Sequence, residues 1–323
     1  MRILGIVDYS YLYYKYKFTL ASGRLKRLSS VVEIGGTKVE KDISEIYYTL
    51  REIEKIRKNL EYGGNEVRLA ICFDSPAIAR KEHASHMEIG EGQLDGAAEL
   101  SGKYKANRSK KLSDEDFLNI GIVAELLFNA GYNVYKLEGY EADDLVTSLV
   151  ENYKEIFDGT LIYTSDKDLL VNVCEKVALS KYKTNGDYKV FTRGNFVGTC
   201  EFDFKCRFPF NVTLLYLSTV GDKADNVPGI KGFGVKAFDK LVEHYESRGI
   251  DLSAGATSYG TRQLLLMATE YLGELRLHEA LKSLELVEPL YISSDYVHIP
   301  ERFSTRDSRI AAYGPLGMKS LFD

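Results

Sequence analysis

The chain has 323 residues, 45% hydrophobic and 28% charged, with a net charge of −5. This is apolar enough for the core of one large domain or two smaller ones, and it excludes a disordered or low-complexity chain. No apolar run reaches the roughly 18 residues of a membrane span, Asp8, Lys15 and Lys17 interrupt any secretory core at the N-terminus, and the four scattered cysteines (Cys72, Cys174, Cys200, Cys206) lack zinc or disulfide spacing, which points to the cytoplasm.

Residues 2–8, RILGIVD, form a short apolar run that predicts a strand covered on both faces. Over 43–61, Ile43, Ile46, Leu50, Ile53 and Ile56 or Leu60 recur at helical spacing. VRLAICFD (67–74) predicts a second buried strand. Residues 75–113 hold few large aliphatics and no periodicity, so they read as a functional segment outside the core. Within them, 82–102 carries five acids and no Lys or Arg, whereas KYKANRSKK (103–111) carries five bases and no acid.

A helix is expected over 114–130, with Ser113 as N-cap and Asp116 three residues on, a near capping box. NVYKL (133–137) predicts a strand, 142–153 a helix, TLIYTSD (160–166) a strand, DLLVNV a short helix, and VALSKY with KVFT a terminal strand pair. This alternation implies an α/β fold with a mostly parallel central sheet flanked by helices. Beyond about residue 205 the pattern turns helical, over 211–221, 234–247, 261–272 and 274–287. Residues 289–323 show no clear periodicity and are expected to wrap the surface. The boundaries are 1–205 for the α/β core, including 75–115, then 206–290 for a helical region and 291–323 for a C-terminal tail.

Three of the predicted strands finish on an aspartate: Asp8, Asp74 and Asp166. In a parallel sheet those ends share the edge where ligands bind. Glu141, Asp143 and Asp144 stand at a helix start, Asp168 follows Asp166 at i+2, and Asp222 and Asp225 open the helical region. Alone, each is most simply a cap or a solvated surface acid. Nine acids brought together would repel one another unless cations bind, and an all-carboxylate set without histidine suits Mg²⁺ or Mn²⁺. Setting those nine aside turns the net charge of −5 into +4, which removes the objection to a polyanionic partner. Two such ions about 3.5–4 Å apart are the usual apparatus for phosphodiester hydrolysis.

GDKADNVPGIKGFGVKA (221–237) places a Pro228–Gly229 turn and the glycines Gly232 and Gly234 between two apolar helices. A helix starting near Gly234 would present free amides to a phosphate, with Lys231 and Lys236 adding charge. This is a helix–hairpin–helix order, used for sequence-independent contact with DNA backbone. It is not a Rossmann turn, because no strand precedes it.

Taken together, IVDYSYLYYK (6–15), FDSP (73–76), YKANR (104–108), GYEADDL (139–145), TSDKDLL (164–170) and GDKADNVPGIKGFGVKAF (221–238) resemble the flap endonuclease and 5′-to-3′ exonuclease family. Bacteriophage 5′-nucleases and the 5′-nuclease domain of bacterial DNA polymerase I are the nearest in pattern. The resemblance covers roughly residues 1–290 and implies a PIN-like 5′-nuclease core. It implies two metal groups: Asp8, Asp74, Glu141 and Asp143 in the first, and Asp144, Asp166, Asp168, Asp222 and Asp225 in the second. It further implies that 75–115 forms an arch or clamp over the site. Lys105 and Arg108 would touch the scissile phosphate there, and Tyr104 would stack on a base. Lys15 matches a DNA-contacting cation that is arginine in several relatives. Gly229, Lys231, Gly232, Gly234 and Lys236 match a hairpin that grips duplex and holds K⁺ with its carbonyls. The chain departs from the pattern in Tyr9, where relatives have a small residue, and in a longer acidic stretch before Tyr104.

The expected function is a two-Mg²⁺ structure-specific 5′-nuclease, with Mn²⁺ as a substitute, acting as a monomer on DNA with a 5′ single-strand/duplex junction in primer or flap removal. No polymerase segment accompanies the nuclease strings, so a separate, phage-type nuclease chain is expected. Three alternatives stay open: an RNase acting on RNA–DNA hybrids, a junction-binding module that does not cut, and a small-molecule phosphatase. The tyrosines at 9, 11, 13, 14 and 16 read as core and helix surface before stacking platform, and His83 and His86 as solvent-facing.

Overall fold

The computed structural model describes residues 1–34, 37–75, 112–182, 188–196, 204, 208–223, 225–252 and 260–322. In chain order its elements begin β1 (Arg2–Asp8), α1 (Tyr9–Ala21), β2 (Ser29–Ile34), β3 (Thr37–Asp42), α2 (Ser44–Glu61) and β4 (Glu66–Cys72). They continue with α3 (Asp114–Asn129), β5 (Asn133–Tyr135), α4 (Ala142–Tyr153), β6 (Gly159–Tyr163), a 3₁₀ turn (Asp168–Asn172), β7 (Val177–Tyr182) and β8 (Tyr188–Phe191). The helical part has α5 (Thr213–Val220), α6 (Val235–Ser247), α7 (Thr261–Met267), α8 (Thr269–Leu272), α9 (Glu274–Val287) and α10 (Arg306–Tyr313).

Six strands form one sheet in the order β5-β4-β1-β6-β7-β8, parallel except for the β7–β8 pair. The sheet is buried on both faces because its central strands are apolar at successive positions. Leu4 and Ile6 of β1, with Ala70 and Cys72 of β4, face the core that contains α4 (Leu145, Val146, Leu149). Val7, Leu69 and Ile71 face the opposite core, with Leu12 of α1 and Ile46, Leu50 and Ile53 of α2. Burying each such aliphatic side chain is worth roughly 1.5–3 kcal/mol. The first core runs on without a break into Leu215, Phe238, Leu264 and Leu284, so the helical part packs directly against the α/β part.

Several expectations hold. The face of α2 predicted from spacing is the buried one. The Ser113 hydroxyl accepts from Asp116 N–H at 3.2 Å and Ser113 N–H donates to Asp116 at 2.7 Å, completing the capping box. The sequence reading set no bounds for α1, though it placed its tyrosines in core and on helix surface, and it gave neither the separate β2–β3 hairpin nor α10. Tyr9, Tyr13 and Tyr16 fall on one face of α1 with Leu12 and Leu20, and Tyr11 and Tyr14 lie off it. Tyr9, Tyr13 and Tyr16 are buried; Tyr9 stacks on Phe73 at 4.3 Å, and Tyr13 and Tyr16 each donate to an acid, Asp116 and Glu52, at 2.6 Å.

The C-terminal segment is more built than its lack of periodicity suggested. α10 carries its own capping box from Thr305 and Ser308, Ser308 Oγ donates to Ala130 O at 2.8 Å, and the buried Tyr313 donates to Glu54 at 3.0 Å. Of the segment 75–115, expected as an arch, residues 76–111 lie outside the described residues, and with them Tyr104, Lys105, Arg108, His83 and His86, whereas Asp114 and Glu115 begin α3.

Candidate metal centre and nucleic-acid interface

In the strand order β4-β1-β6 the chain winds outward in both directions from β1, which puts the topological switch between β1 and β6. Ligands of open α/β sheets bind beyond the carboxyl ends of the strands at such a point. Asp8 is the last residue of β1, paired in register with Cys72 of β4, so Asp74 emerges at the same edge. Asp166 follows β6 closely.

Each of these acids is held by backbone or by a hydroxyl. Asp8 N-caps α1, its Oδ1 accepting from Tyr11 N–H at 3.3 Å, while its Oδ2 accepts from Thr164 Oγ1 at 2.8 Å. The same Thr164 oxygen accepts from Asp166 N–H at 3.0 Å, so one hydroxyl joins the ends of β1 and β6. Asp166 Oδ1 then accepts from Asp168 N–H at 3.0 Å. Across the site, Asp74 Oδ1 accepts from Ala142 N–H, the first amide of α4, at 2.8 Å. Helix N-termini favour carboxylates in that position.

The loop after α5 is closed by paired backbone bonds between Asp222 and Val227, with Asn226 at φ 58°. That closure delivers Asp222 and Asp225 to Asp168, and one carboxylate oxygen from each of the three lies within 4.8 Å of the others. A cavity of about 340 Å³ opens over the edge, lined by Asp8, Asp74, Asp143, Asp166, Asp222 and Asp225 together with Ser10, Tyr11, Tyr14, Lys167 and Lys181.

The electrostatics fit a cation site. Burial, then repulsion from Asp74 and Asp166, pushes the Asp8 carboxyl from 3.8 up to about 7. Burial, then Asp166, Asp222 and Asp225, pushes Asp168 well above the usual range. Asp168 Oδ1 is buried with no hydrogen-bond donor among the described residues. A buried acceptor without a donor costs on the order of 1–3 kcal/mol, and an oxygen-preferring divalent cation is the partner that this donor set suits. The residues present therefore fit Mg²⁺ or Mn²⁺.

The raised Asp8 pKa sets a pH signature. Folded Asp8 holds its proton more tightly than the unfolded chain, so the folded state is favoured below pH about 4 and loses that advantage as pH rises to about 7. In EDTA the melting temperature is expected to fall between pH 5 and pH 8, and in saturating Mg²⁺ the fall is expected to shrink. Calorimetric melts across that range check it.

Not every expected residue reaches the cavity. Asp144 is only 1% exposed, and its two oxygens accept from Glu141 N–H at 3.0 Å and Leu290 N–H at 2.8 Å. Glu141, the N-cap residue of α4, is buried as well. Lys15, expected against DNA, has its ammonium 3.3 Å from the buried Glu52 and 4.9 Å from the centre of the Tyr16 ring, and Lys167 and Lys181 line the cavity. Lys167 sits 2.9 Å from Asp222. Sequence reading missed Thr164, Lys167 and Lys181. T-x-D-x-D after an apolar strand was the available signal for the first.

In the loop between α5 and α6, Gly229 N–H donates to Ser283 Oγ at 3.0 Å and Lys231 N–H to Glu279 at 3.1 Å, so α9 braces it from behind. Lys231, Gly232, Gly234 and Lys236 are exposed, and α6 begins directly after Gly234.

Fold and site together define the class, a 5′-nuclease-type α/β protein with a carboxylate cluster at the sheet's carboxyl edge. The model of the 5′-3′ exonuclease N-terminal resolvase-like domain matches residues 4–199, and the chain belongs to the flap endonuclease/5′-3′ exonuclease family. It is 31% identical over 179 residues to the 5′-3′ exonuclease of Aquifex aeolicus, covering 55% of this chain and 53% of that protein. It is 33% identical over 214 residues to DNA polymerase I of Borreliella burgdorferi, covering 64% of this chain and 20% of that one. The chain thus spans about half the length of the first relative and a fifth of the second. The fold matches bacteriophage T5 5′-exonuclease, solved with divalent metal ions (zinc) bound, at a TM-score of 0.55 and 16% identity over 99% of this chain and 97% of that one. The catalytic core of Rad2 in complex with DNA substrate matches at 0.52 and 14%, over 99% and 89%. Among the described residues no helix is long and apolar enough to cross a membrane.

Proposed function

We propose that this protein is a divalent-metal-dependent, structure-specific 5′-nuclease that hydrolyses phosphodiesters in DNA carrying a 5′ single-strand/duplex junction. The observation that carries the reading is the convergence of Asp168, Asp222 and Asp225 beside Asp8, Asp74, Asp143 and Asp166 at one sheet edge. Asp8, Asp74 and Asp143 would hold one Mg²⁺, with Glu141 joining them on the family resemblance alone, and Asp166, Asp168, Asp222 and Asp225 would hold a second. Such ions, when bound, supply an activated water and neutralise charge on the phosphoryl oxygens.

The chain's own residues do the rest. Thr164 fixes Asp8 and Asp166 relative to each other. The α4 N-terminus orients Asp74. Lys167 and Lys181 place positive charge on the cavity wall where a phosphate would lie. Lys105 and Arg108 are assigned the scissile phosphate and Tyr104 a base, all three from the family resemblance. Gly229, Lys231, Gly232, Gly234 and Lys236 would track the duplex backbone, with K⁺ at the hairpin carbonyls. The protein would act as a monomer in the cytoplasm, in primer or flap removal.

The test is a 5′-end-labelled flap duplex incubated with wild type in Mg²⁺, wild type in Ca²⁺, and Asp166→Asn in Mg²⁺. Cleavage near the junction in the first reaction alone is expected. Tight binding without product in Mg²⁺ would make the protein a junction clamp. A parallel substrate with an RNA 5′ segment separates flap cleavage from hybrid-directed RNase action.

A further inference from the structure

The segment that follows α9 does not simply cover the surface. It is laced to one face of α4. Leu290 N–H donates to Asp144 Oδ1 and Ile292 N–H to Ser148 Oγ, both at 2.8 Å. Tyr291 OH donates to Asn152 Oδ1 and Ile299 N–H to Tyr153 OH, both at 2.6 Å. Positions 144, 148 and 152 recur every four residues, so they form a single stripe along the helix. Ser148 Oγ also donates to Asp144 O at 2.6 Å, which joins the first two anchor points.

The upper end of this lacing lies behind the cavity. Asp144 faces away from solvent, with one oxygen on the Leu290 amide and the other on the Glu141 amide. Its neighbour Asp143 lines the cavity, and the next residue back, Ala142, gives its amide to Asp74. A shift of the first turn of α4 would therefore move two cavity carboxylates at once. A charge-assisted bond to a backbone amide is short and directional, suited to fixing such a turn.

We infer that Asp144 is a positioning residue. Through the Leu290 amide it ties the segment after α9 to the first turn of α4, and so holds Asp143 and Asp74 in the geometry that binds a divalent cation. This rests on the reading of the carboxylate edge as a metal site. It gives residues 290–292, far along the chain from every cavity carboxylate, a part in cation affinity without contact to the cation.

The experiment measures Mn²⁺ binding by calorimetry on the full chain, with thermal melts alongside. Asp144→Asn keeps size but weakens acceptance from the two amides, Leu290→Pro deletes the donor, and Leu290→Ala keeps it. Removing an outer-shell partner typically lowers metal affinity by about 10–100-fold. Asp144→Asn and Leu290→Pro are each expected to weaken Mn²⁺ binding about tenfold, the double variant no further, and Leu290→Ala not at all. Wild-type affinity in Leu290→Pro beside a loss in Asp144→Asn would overturn the inference and make Asp144 a direct ligand. If Leu290→Pro does not fold, Ser148→Ala decides: it slackens the next anchor, and about threefold weaker binding is expected, whereas unchanged affinity overturns the inference. Absence of Mn²⁺ binding in the wild type would overturn the metal reading itself, and this inference with it. Normal wild-type binding with an indifferent strap would sink the inference alone.

Discussion

Asp168→Asn is expected to lower the rate of flap cleavage by about a thousandfold while making the protein more stable in EDTA. The two effects have one cause. Asp168 is half-buried beside Asp166, Asp222 and Asp225, and desolvation, then repulsion from those three, pushes its carboxyl well above the ordinary range. A neutral amide of the same shape removes that repulsion, and relief equivalent to one pKa unit is worth about 1.4 kcal/mol. The same charge is what a divalent cation requires, and electrostatic groups aimed at a reacting phosphate commonly contribute factors of about 100–1,000. Melts in EDTA and in Mg²⁺, run with single-turnover cleavage, check both halves. A variant that is less stable in EDTA, or that cleaves at the wild-type rate, contradicts the carboxylate cluster as described. Chelation of the wild type should reproduce the loss of activity and be reversed by added Mg²⁺.

The second large effect separates two glycines five residues apart. Gly229 has φ +63°, and a Cβ there would lie 2.6 Å from Gly221 N and 2.7 Å from Thr219 O. Those neighbours are backbone and cannot move aside as a side chain can. A left-handed conformation costs an L-residue about 1–2 kcal/mol, and overpacking a tight site adds about 1–3 kcal/mol. Gly229→Ala is therefore expected to destabilise by about 2–5 kcal/mol and to displace the neighbouring loop that presents Asp222 and Asp225. Gly234 is the opposite case: φ is −111°, and a Cβ would meet nothing within 4 Å. Gly234→Ala should melt within about 0.5 kcal/mol of wild type. If this open surface receives the DNA backbone, the added methyl occupies the space of approach, and duplex affinity in Ca²⁺ should fall about fivefold. Wild-type duplex affinity in Gly234→Ala would remove the hairpin from the interface and leave its glycines purely structural.

Much of the site could be read from residue types at element ends. An apolar strand that finishes on aspartate states locally that a carboxylate will sit at a sheet edge, because strand direction and burial follow from pattern. The Ser113 capping box is equally local, since its partners are three residues apart. The hairpin glycines are legible for the same reason: a turn between two helices constrains its own backbone. Lysines show the limit of this reasoning. That Lys15 lies beside Glu52, 37 positions along the chain, and that Lys181 lines the cavity depend on helix rotation and strand order, which neighbouring residues do not encode.

By itself, then, the sequence determined the fold class, the family, the acids at the strand ends and the placing of glycines where the backbone must turn. The family rests on the resemblance of whole motif strings, and the others on periods of two to four residues and on local chemistry. The tertiary structure decided which acids meet, that Thr164 bridges two strand ends, that Asp144 is held by two amides, and that residues 290–299 return to α4. These pairings join positions up to 156 residues apart. They arise from strand crossovers and core packing that bring distant segments to within about 3 Å, a distance that residue spacing alone cannot specify.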